Sequence, residues 1–222
     1  MRPFLRIIPI VGMLGFCMFP AQLAAQLHPD SALSRLKAGN ARFASGKSIH
    51  PNTTAQRVRE TAKGQTPFAI VLGCSDSRVP AEIVFDQGLG DLFMVRTAGQ
   101  VSTYASYGSI EFAHAVLGAR LLVVMGHTSC GAVAAACKPS PVPGHIVTLI
   151  NAIKPAAEAA ANQPGNLVEN AVIENVKLQV KQLRSLEPVL ASAWTSGALH
   201  IVGAVYNIET GKVTFLPREE VR

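Results

Sequence analysis

Phe68-Ala69-Ile70-Val71-Leu72-Gly73-Cys74-Ser75-Asp76-Ser77-Arg78 is the stretch whose reading decides the fold. An unbroken apolar run passes directly into small, polar and chemically active residues. A run without polar alternation is the pattern of a strand buried on both faces, as in a parallel sheet covered by helices. The same texture recurs at 92–95 (LFMV) and at 121–125 (LLVVM), the latter running into Gly126-His127-Thr128-Ser129-Cys130-Gly131. Between them, 107–117 (YGSIEFAHAVL) sets Ile110, His114 and Leu117 at helical spacing, which makes a strand–helix–strand unit.

Working outward, a helix is expected over 31–45, with Leu33, Leu36 and Phe43 at roughly helical spacing and Ser31 as its N-cap. A polar helix is expected over 53–63 and another from Ser129 through 131–137. Two more are expected over 146–161 and 166–194, broken locally at Pro155 and Pro188. Segments 199–208 and 212–216 read as a closing hairpin around Glu209-Thr210-Gly211. The fold class is α/β, one domain with a central, mostly parallel sheet flanked by helices.

The first residues are expected to lie outside that domain. Arg2 and Arg6 precede an uncharged apolar run over 7–19, then the small-residue stretch Ala21-Gln22-Leu23-Ala24-Ala25. That order is a secretory signal peptide over 1–25, cleaved after Ala24 or Ala25, with the domain over 26–222. The run is shorter than the ~20 residues of a spanning helix, which argues against an uncleaved anchor. Phe16 is too bulky to precede a lipid-modified Cys17. The expectation is a periplasmic protein with no membrane segment after cleavage. Removing Arg2 and Arg6 lowers the formal net charge from +6 to +4, without a run of Lys or Arg, so nucleic acid is not an expected partner.

Three of the four cysteines lie beyond the leader: Cys74, Cys130 and Cys137. An exported protein built on disulfides usually has an even number, so an odd count suggests that some thiols are held by a metal. Ligands of open parallel sheets sit beyond the carboxyl ends of the strands. Two such ends carry Cys74 and the pair His127 and Cys130. Two thiolates and one imidazole form the donor set of a zinc site with its fourth position open. A Cys74–Cys130 disulfide is the alternative, and it leaves His127 without a role. Asp76 and Arg78 follow the first strand; a carboxylate held ionised by a guanidinium can accept a hydrogen bond from a metal-bound hydroxide, holding its proton and aiming its lone pair.

Cys-Ser-Asp-Ser-Arg followed by His-Thr-Ser-Cys-Gly resembles the β-class carbonic anhydrases. The resemblance extends through 36–43 (LKAGNARF), 85–93 (FDQGLGDLF), Arg96-Thr97-Ala98-Gly99, and Gly203-Ala204-Val205-Tyr206 with Thr210-Gly211. It implies one zinc per subunit on Cys74, His127 and Cys130, with Asp76 and Arg78 as a catalytic dyad. It also implies Gln87 as a substrate-orienting amide and a homodimer or homotetramer. The implied reaction is reversible hydration of carbon dioxide to bicarbonate and a proton by attack of zinc-bound hydroxide. Some members close the site by placing the dyad aspartate on zinc, stabilised by an accessory bicarbonate site. That site uses a tryptophan three residues before the first cysteine; the position is Val71 here, so such regulation is not expected, although Tyr206 matches another part of it. Thr97 and Gln100 stand where asparagines are common in the family.

Two other readings compete: a carbon disulfide or carbonyl sulfide hydrolase on the same scaffold, and a non-catalytic zinc or redox protein using Cys74 and Cys130 as a thiol pair. His28, His50, His114, His145 and His200 have no partner motif and are assigned no role. Cys137 is expected as a buried thiol on a helix.

Overall fold

The computed structural model describes residues 27–138 and 140–217; the expected leader over 1–25 lies outside them. Among the described residues, five strands form one sheet: β1 (Ala69–Cys74), β2 (Leu92–Thr97), β3 (Leu121–His127), β4 (His200–Tyr206) and β5 (Val213–Phe215). Their order is β2-β1-β3-β4-β5, parallel except for β5, which pairs antiparallel with β4. The helices of the described residues are α1 (Pro29–Ala44), α2 (Ala55–Thr61), α3 (Ala81–Val84), α4 (Tyr104–Ala115), α5 (Gly131–Ala136), α6 (Ile146–Ala160), α7 (Leu167–Arg184) and α8 (Leu190–Thr195), with a 3-10 turn over Ala98–Gln100. This is the α/β architecture expected from the unbroken apolar runs. No described helix is long and apolar enough to cross a membrane.

Every residue of β1 and β3 is buried. Alternate side chains point to opposite faces. Ile70, Leu72, Leu122 and Val124 pack with Ile110 and Ala113 of α4 and Val176, Val180 and Leu183 of α7. Val71, Leu121, Val123 and Met125 pack with Ala32 and Leu36 of α1, with Ala81 and Val84 of α3, and with Phe85. Both layers are needed, because up to the site residues Cys74 and His127 at their ends, neither face of the central strands carries a polar side chain.

Two expectations need correction and a third holds. Ser31 lies inside α1, which starts at Pro29; proline suits the first helical position because its missing N–H would have no partner there. The His28 side chain accepts from the Asp30 N–H instead. Pro155 does not break α6: it frees only the carbonyl of Asn151, and both residues are exposed, so water can satisfy that group. The segment 166–194 does divide, with α7 ending at Arg184 and α8 starting beyond Pro188.

One buried amide ties α1 to two distant parts of the chain. Asn40 Nδ2 donates to the Val84 carbonyl (3.1 Å) and the Gly211 carbonyl (2.9 Å), and its Oδ1 accepts from the Val213 N–H (2.8 Å). Beside it, α1 approaches the end of α3 so closely that a Cβ on Gly39 would lie 1.8 Å from the Phe85 carbonyl oxygen. Because that obstacle is backbone, Gly39→Ala should push α1 off the sheet and lower unfolding stability by about 1–3 kcal/mol. An unchanged midpoint in urea denaturation would contradict this packing.

Candidate metal centre

Cys74 ends β1 and His127 ends β3, and the two strands are parallel neighbours. Cys130 is the N-cap residue of α5, one short turn further on. One ligand atom from each of Cys74, His127 and Cys130 falls within 4.8 Å of the others, and all three residues are buried. Gly126, just before His127, lets α7 come close. A Cβ there would lie 2.7 Å from Val176 Cγ2 and 3.3 Å from Gln100 Nε2.

The donor set has the chemistry of a zinc site. His127 Nδ1 lies 2.9 Å from the Thr128 carbonyl, which can only accept, so that nitrogen carries the proton and Nε2 offers its lone pair. Nε2 is buried and has no hydrogen-bond partner among the described residues, as expected of an atom meant for a cation. The Cys130 thiol bonds Cys74 and draws the Cys74 pKa far below that of an ordinary thiol, against the opposing effect of burial. His127 and the N–H groups of Asp76 (3.4 Å) and Gly99 (3.2 Å) act in the same direction. The same bond, with burial, pushes Cys130 up. The two sulfurs thus compete for one proton, a competition that a bound divalent cation ends by taking both as thiolates. Burial alone would lower the His127 pKa, but the Cys74 sulfur, the Thr128 carbonyl and the Asp76 carboxylate together outweigh it and the net shift is upward.

Asp76 stands beside this triangle, with Oδ2 3.8 Å from His127 Nε2. Arg78 grips it with both arms: Nε donates to Oδ1 at 2.9 Å and Nη2 to Oδ2 at 2.7 Å, while the Arg78 N–H also reaches Oδ1 at 2.9 Å. Arg78 Nη2 further donates to the Ser129 carbonyl at 3.4 Å, joining the two ligand loops. The Arg78 bond holds the Asp76 carboxyl well below the usual carboxylate range. Four of the expected residues, together with Arg78, therefore converge.

Gln87 does not join them. It is buried against α1, its Nε2 donating to the Phe85 carbonyl (2.8 Å) and its Oε1 accepting from Arg35 Nε (2.9 Å). Cys137 caps the end of α5 and is only partly buried. It lines a cavity of about 620 Å³ between the α5 end, the following loop and α6, which none of the donor residues lines. His114 Nδ1 bonds the Ala119 carbonyl at 2.9 Å beyond the end of α4. Of the two positions that differ from the common family pattern, Thr97 donates to the Val101 carbonyl (2.6 Å), whereas the buried Gln100 amide has no partner among the described residues.

Arg96 was not singled out by its chemistry in the sequence. On β2, its Nε donates to the Cys74 carbonyl (3.0 Å) and its Nη2 to the Asp76 carbonyl (2.8 Å), bracing the loop that carries ligand and carboxylate. Glu169 of α7 accepts from the Ser129 N–H at 3.0 Å, where the backbone is left-handed (φ 55°).

A parallel-sheet scaffold with two thiols, an imidazole and a clamped carboxylate at adjacent strand ends defines a zinc enzyme with an open coordination position. The comparisons narrow this class. The sequence model of the family described as carbonic anhydrase matches residues 69–213. The carbonic anhydrase of Mycolicibacterium smegmatis is 40% identical, the match covering 84% of this chain and 92% of that protein. Among solved structures, the β-carbonic anhydrase CafA of Aspergillus fumigatus superposes with a TM-score of 0.64 at 26% identity, covering 86% of this chain and 93% of the other. The Coccomyxa β-carbonic anhydrase, solved in complex with acetazolamide, gives 0.62 at 27% identity over 83% and 86%. The chain belongs to the carbonic anhydrase family, in its β class.

The Arg78 clamp makes a measurable prediction. A depressed carboxylate pKa adds stability that is present above the unfolded value of ~3.9 and is lost as pH falls through the lower folded value. In Arg78→Ala, Asp76 should titrate close to that ordinary value, while in the parent chain it should remain ionised well below it. Carboxyl NMR titration of Asp76 that is identical in the two proteins would show that Arg78 does not hold it.

Proposed function

We propose that this chain catalyses the zinc-dependent, reversible hydration of carbon dioxide to bicarbonate and a proton. The observation that carries the reading is the buried Cys74, His127 and Cys130 triangle with the Arg78-held Asp76 carboxylate 3.8 Å from its imidazole. Zinc, held by the two sulfurs and His127 Nε2, would acidify a water and so supply a nucleophile near neutral pH. The chain's own residues do the rest. Asp76 Oδ2 stays ionised and accepts a hydrogen bond from the attacking group, fixing the direction of its lone pair. Arg78 keeps that carboxylate charged and stationary. Val101 and Ile153 pack in one apolar cluster with the two cysteines, a setting suited to an uncharged linear substrate and costly for a polar one.

The thiol-pair alternative gives Asp76 and Arg78 no task, and the bidentate clamp argues against it. Hydrolysis of carbon disulfide or carbonyl sulfide has no observation in its favour, since the curated relatives at 39–40% identity are named carbonic anhydrases. Val71, fully buried in β1, offers no hydrogen bond to an accessory bicarbonate. Export through a leader over 1–25 to the periplasm rests on the residue order of that segment. Assembly into a homodimer or homotetramer is supported by exposed large apolar side chains, among them Tyr104, Phe112 and Val116 on and just beyond α4.

Asp76→Ala should retain its zinc while the rate of carbon dioxide hydration falls about 100- to 10,000-fold, measured by stopped flow beside metal analysis. Normal turnover in that variant would remove Asp76 from the reaction. For export, mass spectrometry of the protein from an osmotic-shock fraction should find a chain starting at Ala25 or Gln26; an intact Met1 start in the cytosolic fraction would contradict it.

A further inference from the structure

The Cys74 sulfur receives a hydrogen bond from the Gly99 N–H at 3.2 Å. Gly99 is not held there by local preference. It and Gln100 are successive left-handed residues, with φ of 67° and 45°, and only the first is a glycine, so the pair would relax elsewhere unless something outside the turn fixed it. The outside support comes from α7. Asn175 Nδ2 donates to the Gly99 carbonyl at 2.8 Å. One helical turn further on, Gln179 Oε1 accepts from both the Ser102 N–H (2.9 Å) and the Ser102 hydroxyl (2.6 Å). Asn175 and Gln179 are 0% and 2% exposed, on a face otherwise made of Ala171, Val172, Val176, Val180 and Leu183.

Amides on a helix face that should be aliphatic are costly unless they have work to do. Neither touches a metal donor: Asn175 grips the turn whose Gly99 N–H reaches the Cys74 sulfur, and Gln179 grips Ser102 just after that turn. We propose that Asn175, with Gln179 behind it, is a positioning residue for the metal centre: by pinning the Gly99 carbonyl it keeps the Gly99 N–H on the Cys74 sulfur. That bond withdraws electron density from the thiolate and sets both its alignment and its donor strength. The inference deepens the metal-site reading and rests on it. Residues behind the ligands commonly control metal affinity about 10- to 100-fold.

The test uses the full chain loaded with zinc or with cobalt(II), in the parent, in Asn175→Leu and in Val180→Ala. The last removes buried volume from the same helix face without touching Gly99. Asn175→Leu should release zinc to a chelator about 10- to 100-fold faster, and its sulfur-to-cobalt charge-transfer band should move to longer wavelength, because a thiolate that loses an N–H donor gives up its electrons more easily. Val180→Ala should unfold at lower denaturant with the band and the zinc release unchanged. If Asn175→Leu does not fold, Asn175→Ser, which leaves room and a hydroxyl, is read for the same two quantities. A band and a release rate that match Val180→Ala would overturn the proposal. A parent chain with no sulfur-to-cobalt band would overturn the metal reading beneath it as well.

Discussion

Two thiols and an imidazole buried within 4.8 Å of one another are the constraint on which the rest of the structure depends. Such a group carries one negative charge too many for an apolar interior, or one proton too many for good coordination. A divalent cation resolves both at once. The surrounding groups bring these three atoms together. The parallel pairing of β1 and β3 ends the two strands within one residue of each other. Thr128 takes the proton-bearing nitrogen of His127, and Arg78 takes the carboxylate that would otherwise be a second unbalanced charge.

The scaffold is built around the loops rather than the strands. Central strands buried on both faces need little to define them beyond apolar bulk. The loops beyond their ends lie in irregular backbone, and each is braced from another element. Arg96 of β2 holds the carbonyls of Cys74 and Asp76, Glu169 of α7 holds the Ser129 N–H, and Asn175 holds the Gly99 carbonyl. Two carboxylates in the segment between α3 and β2 do similar work. Asp86, its side chain fully buried, takes Arg42 Nε at 2.6 Å and the backbone N–H groups of Ile49 and His50. Asp91 takes Arg35 and Asn52.

Much of this was legible in the sequence. The buried strands announce themselves because burial on both faces leaves no polar position. The ligands announce themselves because cysteine and histidine at strand ends have few other uses. What escaped was set by contacts across long stretches of chain. Gln87 sits in the expected loop, yet Arg35 and the Phe85 carbonyl claim its amide, and no pattern along the chain reveals that. Ser31 is a good cap by type, but Pro29 had already fixed the helix start. Pro155 reads as a breaker only if the carbonyl it frees has no access to water. Asn175 and Gln179 did leave a trace, as two amides one turn apart on an aliphatic face, but their target is the turn after β2, far back in sequence.

The central claim is that the Cys74, His127 and Cys130 triangle binds one zinc ion and that this ion is what makes the chain hydrate carbon dioxide. The direct test strips the protein of metal under reducing conditions, titrates zinc back and follows hydration by stopped flow at each addition. The account predicts negligible activity without metal and a linear rise that stops at one zinc per chain. Activity that persists in the stripped protein, or none after a full equivalent has bound, would contradict it.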